Sequence, residues 1–104
     1  MKILVTGATG FAGGRLAEAL RKDGHSVRVL ARDPSRLPPL PGGWEVVVGD
    51  IRDREAVSEA VSGCDQVFHL AALYRDASAP KQAHWDVHVK GTEHVLEACH
   101  RHRV

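Results

Sequence analysis

VTGATGFAGGRLAEAL, residues 5–20, sets three glycines, Gly7, Gly10 and Gly13, between an apolar run and an amphipathic one. Ahead of them, Ile3-Leu4-Val5 is continuously apolar, the pattern of a strand buried on both faces. Behind them, Phe11, Leu16, Ala17 and Leu20 recur at helical spacing, while Arg15, Glu18, Arg21 and Lys22 take the opposite face. Glu18 and Lys22 form a supporting i,i+4 pair, and Asp23-Gly24 ends the helix. Two readings compete for the glycines. One is a tight turn that needs positive φ. The other is a phosphate cradle at a helix start, where free N–H groups and the helix dipole attract an anion. The strand before the loop, the helix after it and the next strand make one βαβ unit, and that context favours the cradle. In it, Gly7 allows the turn out of the strand, Gly10 lets backbone approach a pyrophosphate, and Gly13 lets the helix pack close to the sheet. Thr9 sits inside the turn, and the N–H groups of Phe11 and Ala12 point at phosphate. No Gly-Lys-Ser/Thr follows, which argues against a mononucleotide P-loop.

Working outward, Val27 to Leu30 reads as a second strand and Trp44 to Val48 as a third. Between them lies a proline-rich loop, DPSRLPPLPGG, with room for a short helix. Asp53 is a candidate N-cap for a helix whose apolar face is Ala56, Val57, Ala60 and Val61, closed by Gly63. Gln66 to Leu70 is a fourth strand. A long helix is predicted from about Pro80 to His100, with Gly91 inside it at a cost of about 1 kcal/mol. Strands alternating with helices predict a parallel α/β sheet with right-handed crossovers.

A chain of 104 residues is one domain at most. A net charge of +1 gives no electrostatic case for a nucleic-acid surface. The apolar runs are far too short for a membrane span, and the N-terminus lacks a signal-peptide pattern, so a cytoplasmic location is the expectation. Cys64 and Cys99 are distant and read as small core residues.

The glycine spacing, G-x-x-G-x-x-G, resembles the start of the extended short-chain dehydrogenase/reductase family, the epimerase and dehydratase group. GDIRD (residues 49–53), VFHLAA (67–72) and VHVKGTEHVLEAC (87–99) are similar to that family's third-strand, fourth-strand and following-helix signatures. The loop after the fourth strand resembles the dihydroflavonol-reductase and hopanoid-associated sugar-epimerase branch. The resemblance implies a Rossmann-type parallel sheet flanked by helices, with residues 1–104 supplying the first four strands, in the order 3-2-1-4, of a larger doubly wound domain. It also implies a nicotinamide dinucleotide. Asp50 would accept from the adenine amino group and Ile51 would touch the ring. Leu70, Ala71 and Ala72 would line the cofactor beyond the pyrophosphate.

NAD is commonly read by a carboxylate at the end of the second strand, about 20 residues past the glycines, and NADP by an arginine there. Ala31 holds that position and Arg32 follows, with Arg36 as a second cation, which favours NADP over NAD. Asp33 offers a competing NAD reading, but it precedes Pro34 and has the look of a turn or cap residue.

His84 and His88 stand i,i+4 with no third ligand at useful spacing, so no metal site is expected. His88 shares a predicted face with Val95 and Cys99 and is expected to be at least half buried, where the family commonly has Asn. His100 and His102 are expected to be solvated. Tyr74 and Arg75 face either substrate or solvent. The family's Tyr-x-x-x-Lys general acid/base pair is absent, so no catalytic residue is assigned and no turnover is expected from this chain alone. The small-molecule substrate is unassigned. The family-type homodimer, built from later helices, would be unavailable, and the fourth strand would be an exposed edge prone to association. The leading reading is the dinucleotide-binding part of an NADP-dependent oxidoreductase or nucleotide-sugar epimerase/dehydratase. Its alternatives are a non-catalytic dinucleotide sensor and a fragment without independent function.

Overall fold

The computed structural model describes residues 1–40, 42–71 and 80–104. Four parallel strands lie in the order β3-β2-β1-β4: β1 (Lys2–Thr6), β2 (Ser26–Ala31), β3 (Glu45–Val48) and β4 (Gln66–His69). The order 3-2-1-4 expected from the sequence is the one observed. β1 is central because it is apolar on both faces. Leu4 joins one core with Leu30, while Ile3 and Val5 join the other with Val27 and Val29.

Helix α1 (Phe11–Lys22) covers the second of these faces through Ala17 and the half-buried Leu20. Phe11, placed on the apolar face by its spacing, is instead 74% exposed. It is the first helical residue, and Gly13, Gly14 and Ala17 take the buried stripe because only small side chains fit this close to the sheet. The Arg15 guanidinium lies 4.6 Å from the centre of the Phe11 ring.

On the opposite face, α2 (Arg54–Val61) buries Ala56, Val57, Ala60 and Val61, the four residues its spacing selected. The connection from β2 to β3 holds a short 3-10 turn, Pro34–Arg36. Arg28, a charge inside β2, donates to the Ala60 and Ser62 carbonyls at 2.9 and 2.7 Å. It thereby satisfies the end of α2, where carbonyls lack helical partners.

The long C-terminal helix is broken in register: α3 (Lys81–Trp85), a π-helical turn (Asp86–Lys90) and α4 (Gly91–His102). The wider π turn rotates the residues ahead of it about the axis. Val87 therefore joins Val95 and Ala98 on the core face, and His88 turns outward. This corrects the expectation that His88 is half buried. Its ring meets that of His84 edge-on at 5.6 Å between centroids. Gly91, read as a flaw, is a contact: a Cβ there would sit 3.0 Å from Ile51 Cγ1. His102 is not solvated as expected but is half buried, with Nε2 3.1 Å from Ser58 Oγ. Cys64 is buried and Cys99 half buried.

β4 is an edge of the sheet among the described residues, with Phe68 37% exposed. No described helix is long and apolar enough to cross a membrane.

Candidate functional site

A cavity of about 640 Å³ opens where the loops leave the C-terminal ends of the parallel strands. In open parallel sheets ligands bind outside the carboxyl ends of the strands, at the point where the strand order reverses. The glycine loop lies between two walls. On one side are the segments after β2 and β3, and on the other is the segment after β4.

The loop folds as its spacing implies. Gly7 takes φ +78°, which carries the chain sharply out of β1. A Cβ on it would lie 2.6 Å from the Leu70 carbonyl carbon, so the β4 segment packs directly on this turn. A Cβ on Gly13 would lie 2.1 Å from the Gly7 carbonyl oxygen, which only glycine permits. Gly10 donates to the Gly7 carbonyl at 3.0 Å and serves as N-cap of α1 in an extended conformation. No side chain caps this helix, and no acidic residue lies in its first turn. The N–H groups of its first turn have no intrahelical acceptor and carry the positive end of the dipole.

Gly7, Thr9, Gly10, Ala12 and Gly13 line the cavity, together with Arg32, Arg36, Asp50 and Ile51 on the β2–β3 side. Leu70 and Ala71 line the β4 side. The Phe11 side chain does not line it, leaving only its amide as a possible contact. Ala72, Tyr74 and Arg75 lie outside the described residues.

Sequence reasoning missed Thr6, Gly49, Arg52 and Val87, which also line the cavity. Arg52 matters most. Its Nε and Nη2 donate to the Asp50 carboxylate at 3.0 and 2.6 Å, and its backbone N–H adds a third bond at 2.9 Å. The close D-x-R spacing was the available signal for this pairing. Asp50 is thus both a turn residue and an ion-paired carboxylate. The Arg52 hydrogen bonds hold its carboxyl below the ordinary range, with Arg32 adding a weaker pull. The Arg32 guanidinium is 3.9 Å from Asp50 Oδ2, and its side chain is 63% exposed. Asp33 caps the 3-10 turn, accepting from Ser35 N–H at 3.1 Å and Ser35 Oγ–H at 2.6 Å. Both bonds fall on Oδ1 of the carboxylate, and Asp33 does not line the cavity.

Behind the β4 wall, Thr6 and His69 are bonded side chain to side chain at 2.7 Å. Burial pushes the His69 imidazole below its ordinary pKa. Among the described residues, no group of three or more His, Cys, Asp or Glu is placed to hold a metal ion.

These features can hold an elongated, multiply charged anion with one apolar ring. The bare helix start and glycine loop suit a pyrophosphate. Three guanidiniums against one carboxylate suit a further phosphate. Ile51 supplies an apolar surface. Known proteins are similar to this chain. The 3 beta-hydroxysteroid dehydrogenase/Delta 5-->4-isomerase of Mycobacterium tuberculosis is 42% identical over 106 residues, covering 96% of this chain and 28% of that protein. The N-acetyl-alpha-D-glucosaminyl-diphospho-ditrans,octacis-undecaprenol 4-epimerase of Escherichia coli O157:H7 is 37% identical, over 98% of this chain and 29% of its own length. A short-chain dehydrogenase/reductase superfamily protein from Agrobacterium tumefaciens, solved with bound NAD, is 37% identical with a TM-score of 0.78, over 94% of this chain and 28% of that one. The chain therefore spans under a third of the length of these relatives. Residues 3–104 match the model of the NAD dependent epimerase/dehydratase family, and the chain belongs to that family.

Proposed function

We propose that this chain is the dinucleotide-binding part of an NADP-dependent oxidoreductase or epimerase/dehydratase. One observation carries the reading: a single cavity joins an uncapped helix start to an arginine cluster at the ends of β2 and β3. The donor set fits the cofactor. The amides of Phe11, Ala12 and Gly13, in the turn that holds Thr9, would bind the pyrophosphate, which Gly10 lets approach by having no side chain and which Gly7 and Gly13 admit by keeping backbone close. Arg32 and Arg36 would pair with the 2′-phosphate. Arg52 engages Asp50, so that carboxylate repels the phosphate less than a free one would. Asp50 would accept from the adenine amino group, and Ile51 would lie against the ring. Leu70, Ala71 and Ala72 would border the nicotinamide end.

The cofactor, when bound, would accept or deliver a hydride. This chain's residues would bind it, orient it and hold its charge. Its sequence contains no Tyr-x-x-x-Lys to move the accompanying proton, so we expect binding without turnover. NADPH oxidation by these residues alone would contradict that. The reaction of the whole protein is left between the two chemistries named above, and its substrate is a small molecule of unassigned class.

NADP is favoured over NAD because Arg32 and Arg36 line the cavity at the end of β2, whereas Asp33, the carboxylate beside them in sequence, does not. Calorimetric titration with NADP and NAD tests this. NADP should bind more tightly, and Arg32→Ala should cost on the order of tenfold for NADP with little change for NAD. Equal losses for both would argue against a 2′-phosphate contact.

A further inference from the structure

Thr6 Oγ1 accepts from the Leu70 and Ala71 amides at 3.0 and 3.2 Å, the Leu70 N–H being shared with the Thr6 carbonyl at 3.2 Å, so both acceptor positions of the hydroxyl are filled. Its hydroxyl proton is left for His69 Nδ1, 2.7 Å away. On the far side of the ring, His69 Nε2 is 3.1 Å from Thr92 Oγ1. Thr92 donates its own proton to the His88 carbonyl at 2.6 Å, one turn back along the helix. A carbonyl cannot donate, so Thr92 must accept from His69, and Nε2 carries the hydrogen. Every proton in the chain of bonds is therefore assigned by partner chemistry: His69 Nε2–H to Thr92, Thr6 O–H to His69 Nδ1, and two amides to Thr6.

The Leu70–Ala71 segment held in this way is the one that packs on Gly7 and lines the cavity. Thr92 itself does not line the cavity. We infer that Thr92 is a positioning residue: it holds His69 as the neutral Nε2–H tautomer, and through His69 and Thr6 it fixes the Leu70–Ala71 wall of the cofactor pocket. The link to the cofactor rests on the reading of the pocket given above. The opposite tautomer would place two hydrogens between Thr6 and His69 and leave Nε2 facing an oxygen with no proton to offer. The amide clamp would then have to rearrange.

The test is nitrogen-15 NMR of the histidine rings, together with amide hydrogen exchange at Leu70 and Ala71. Thr92→Val removes the acceptor at nearly constant shape, and Thr92→Ser restores it. The unsubstituted chain should show His69 as a single Nε2–H tautomer at neutral pH. Thr92→Val should populate the Nδ1–H form, raise exchange at the Ala71 amide by on the order of tenfold and at Leu70, which keeps its bond to the Thr6 carbonyl, by less, and weaken NADP binding severalfold. Thr92→Ser should reverse all three effects. An Nδ1–H or charged His69 in the unsubstituted chain overturns the inference, and that measurement stands even if Thr92→Val does not fold. Unchanged tautomer and exchange in a folded Thr92→Val chain overturn it as well. Failure of the unsubstituted chain to bind any dinucleotide would instead contradict the cofactor reading, while the tautomer and exchange results decide the network on their own.

Discussion

Helices α1 and α2 both begin just past strands of the same parallel sheet, yet their N-termini are finished in opposite ways. Asp53 caps α2, accepting from the Glu55 and Ala56 amides at 3.0 and 3.4 Å, and Glu55 adds a negative charge in the first turn. Helix α1 begins at Gly10, which has no side chain to cap with, and no acid lies in its first turn. One end is closed by its own sequence; the other leaves donors and dipole for something else. The longer helix of the two is the open one, so the fold forgoes about 1 kcal/mol that an ordinary cap would supply. That difference is what the proposed binding role of the glycine loop requires, with α2 as scaffold.

The largest expected effect comes from closing the space beside the open end. Gly13→Ala would drive a methyl into the Gly7 carbonyl, a backbone atom that cannot step aside. We expect a loss of about 3 kcal/mol or more, read by denaturant unfolding, with failure to fold as the extreme case. Near-unchanged stability would show that α1 can move off the sheet. A smaller effect comes from opening the closed end. Asp53→Ala should cost about 1 kcal/mol in the same assay and leave NADP affinity unchanged. A large affinity loss in that variant would blur the division between the two helix starts.

The smallest expected effect is one of pH, and it concerns the wall beside the open end. Burial lowers the His69 pKa in the fold, so the unfolded chain binds more protons just below the ordinary histidine value of about 6.5. The contribution is fully present above that value and is lost as pH falls through it towards the lower folded-state pKa. Unfolding free energies measured across this range should decline more steeply for the unsubstituted chain than for His69→Asn. Parallel slopes would show that His69 is not the group responsible.

The comparison also shows what a sequence discloses. Both helix starts were legible, because capping and glycine turns are local: a few neighbouring residues decide them. β1 was legible for the same reason, since Ile3-Leu4-Val5 needs no context to read as a strand buried on both faces. Asp33 was read correctly as a cap from its place before Pro34. Long-range geometry was not legible. Nothing in DVHVK announces a π turn, and that turn alone moved Val87 inward and His88 outward. The contact of Gly91 with Ile51 and the bonding of His69 to both Thr6 and Thr92 join residues from separate elements that only the folded sheet brings together. Phe11 fitted the helical period but fell at the first turn, where the period no longer guarantees burial.

The most direct test makes the open helix start resemble the closed one. Ala12 occupies the position in α1 that Glu55 occupies in α2; it is exposed and lines the cavity. Ala12→Glu should leave stability unchanged or raise it by about 0.3–1 kcal/mol, because an acid favours a helix N-terminus. The same charge should repel a pyrophosphate and weaken NADP binding by at least about tenfold in a calorimetric titration. A folded Ala12→Glu chain that binds NADP as tightly as the unsubstituted one would contradict the placement of the pyrophosphate at the start of α1.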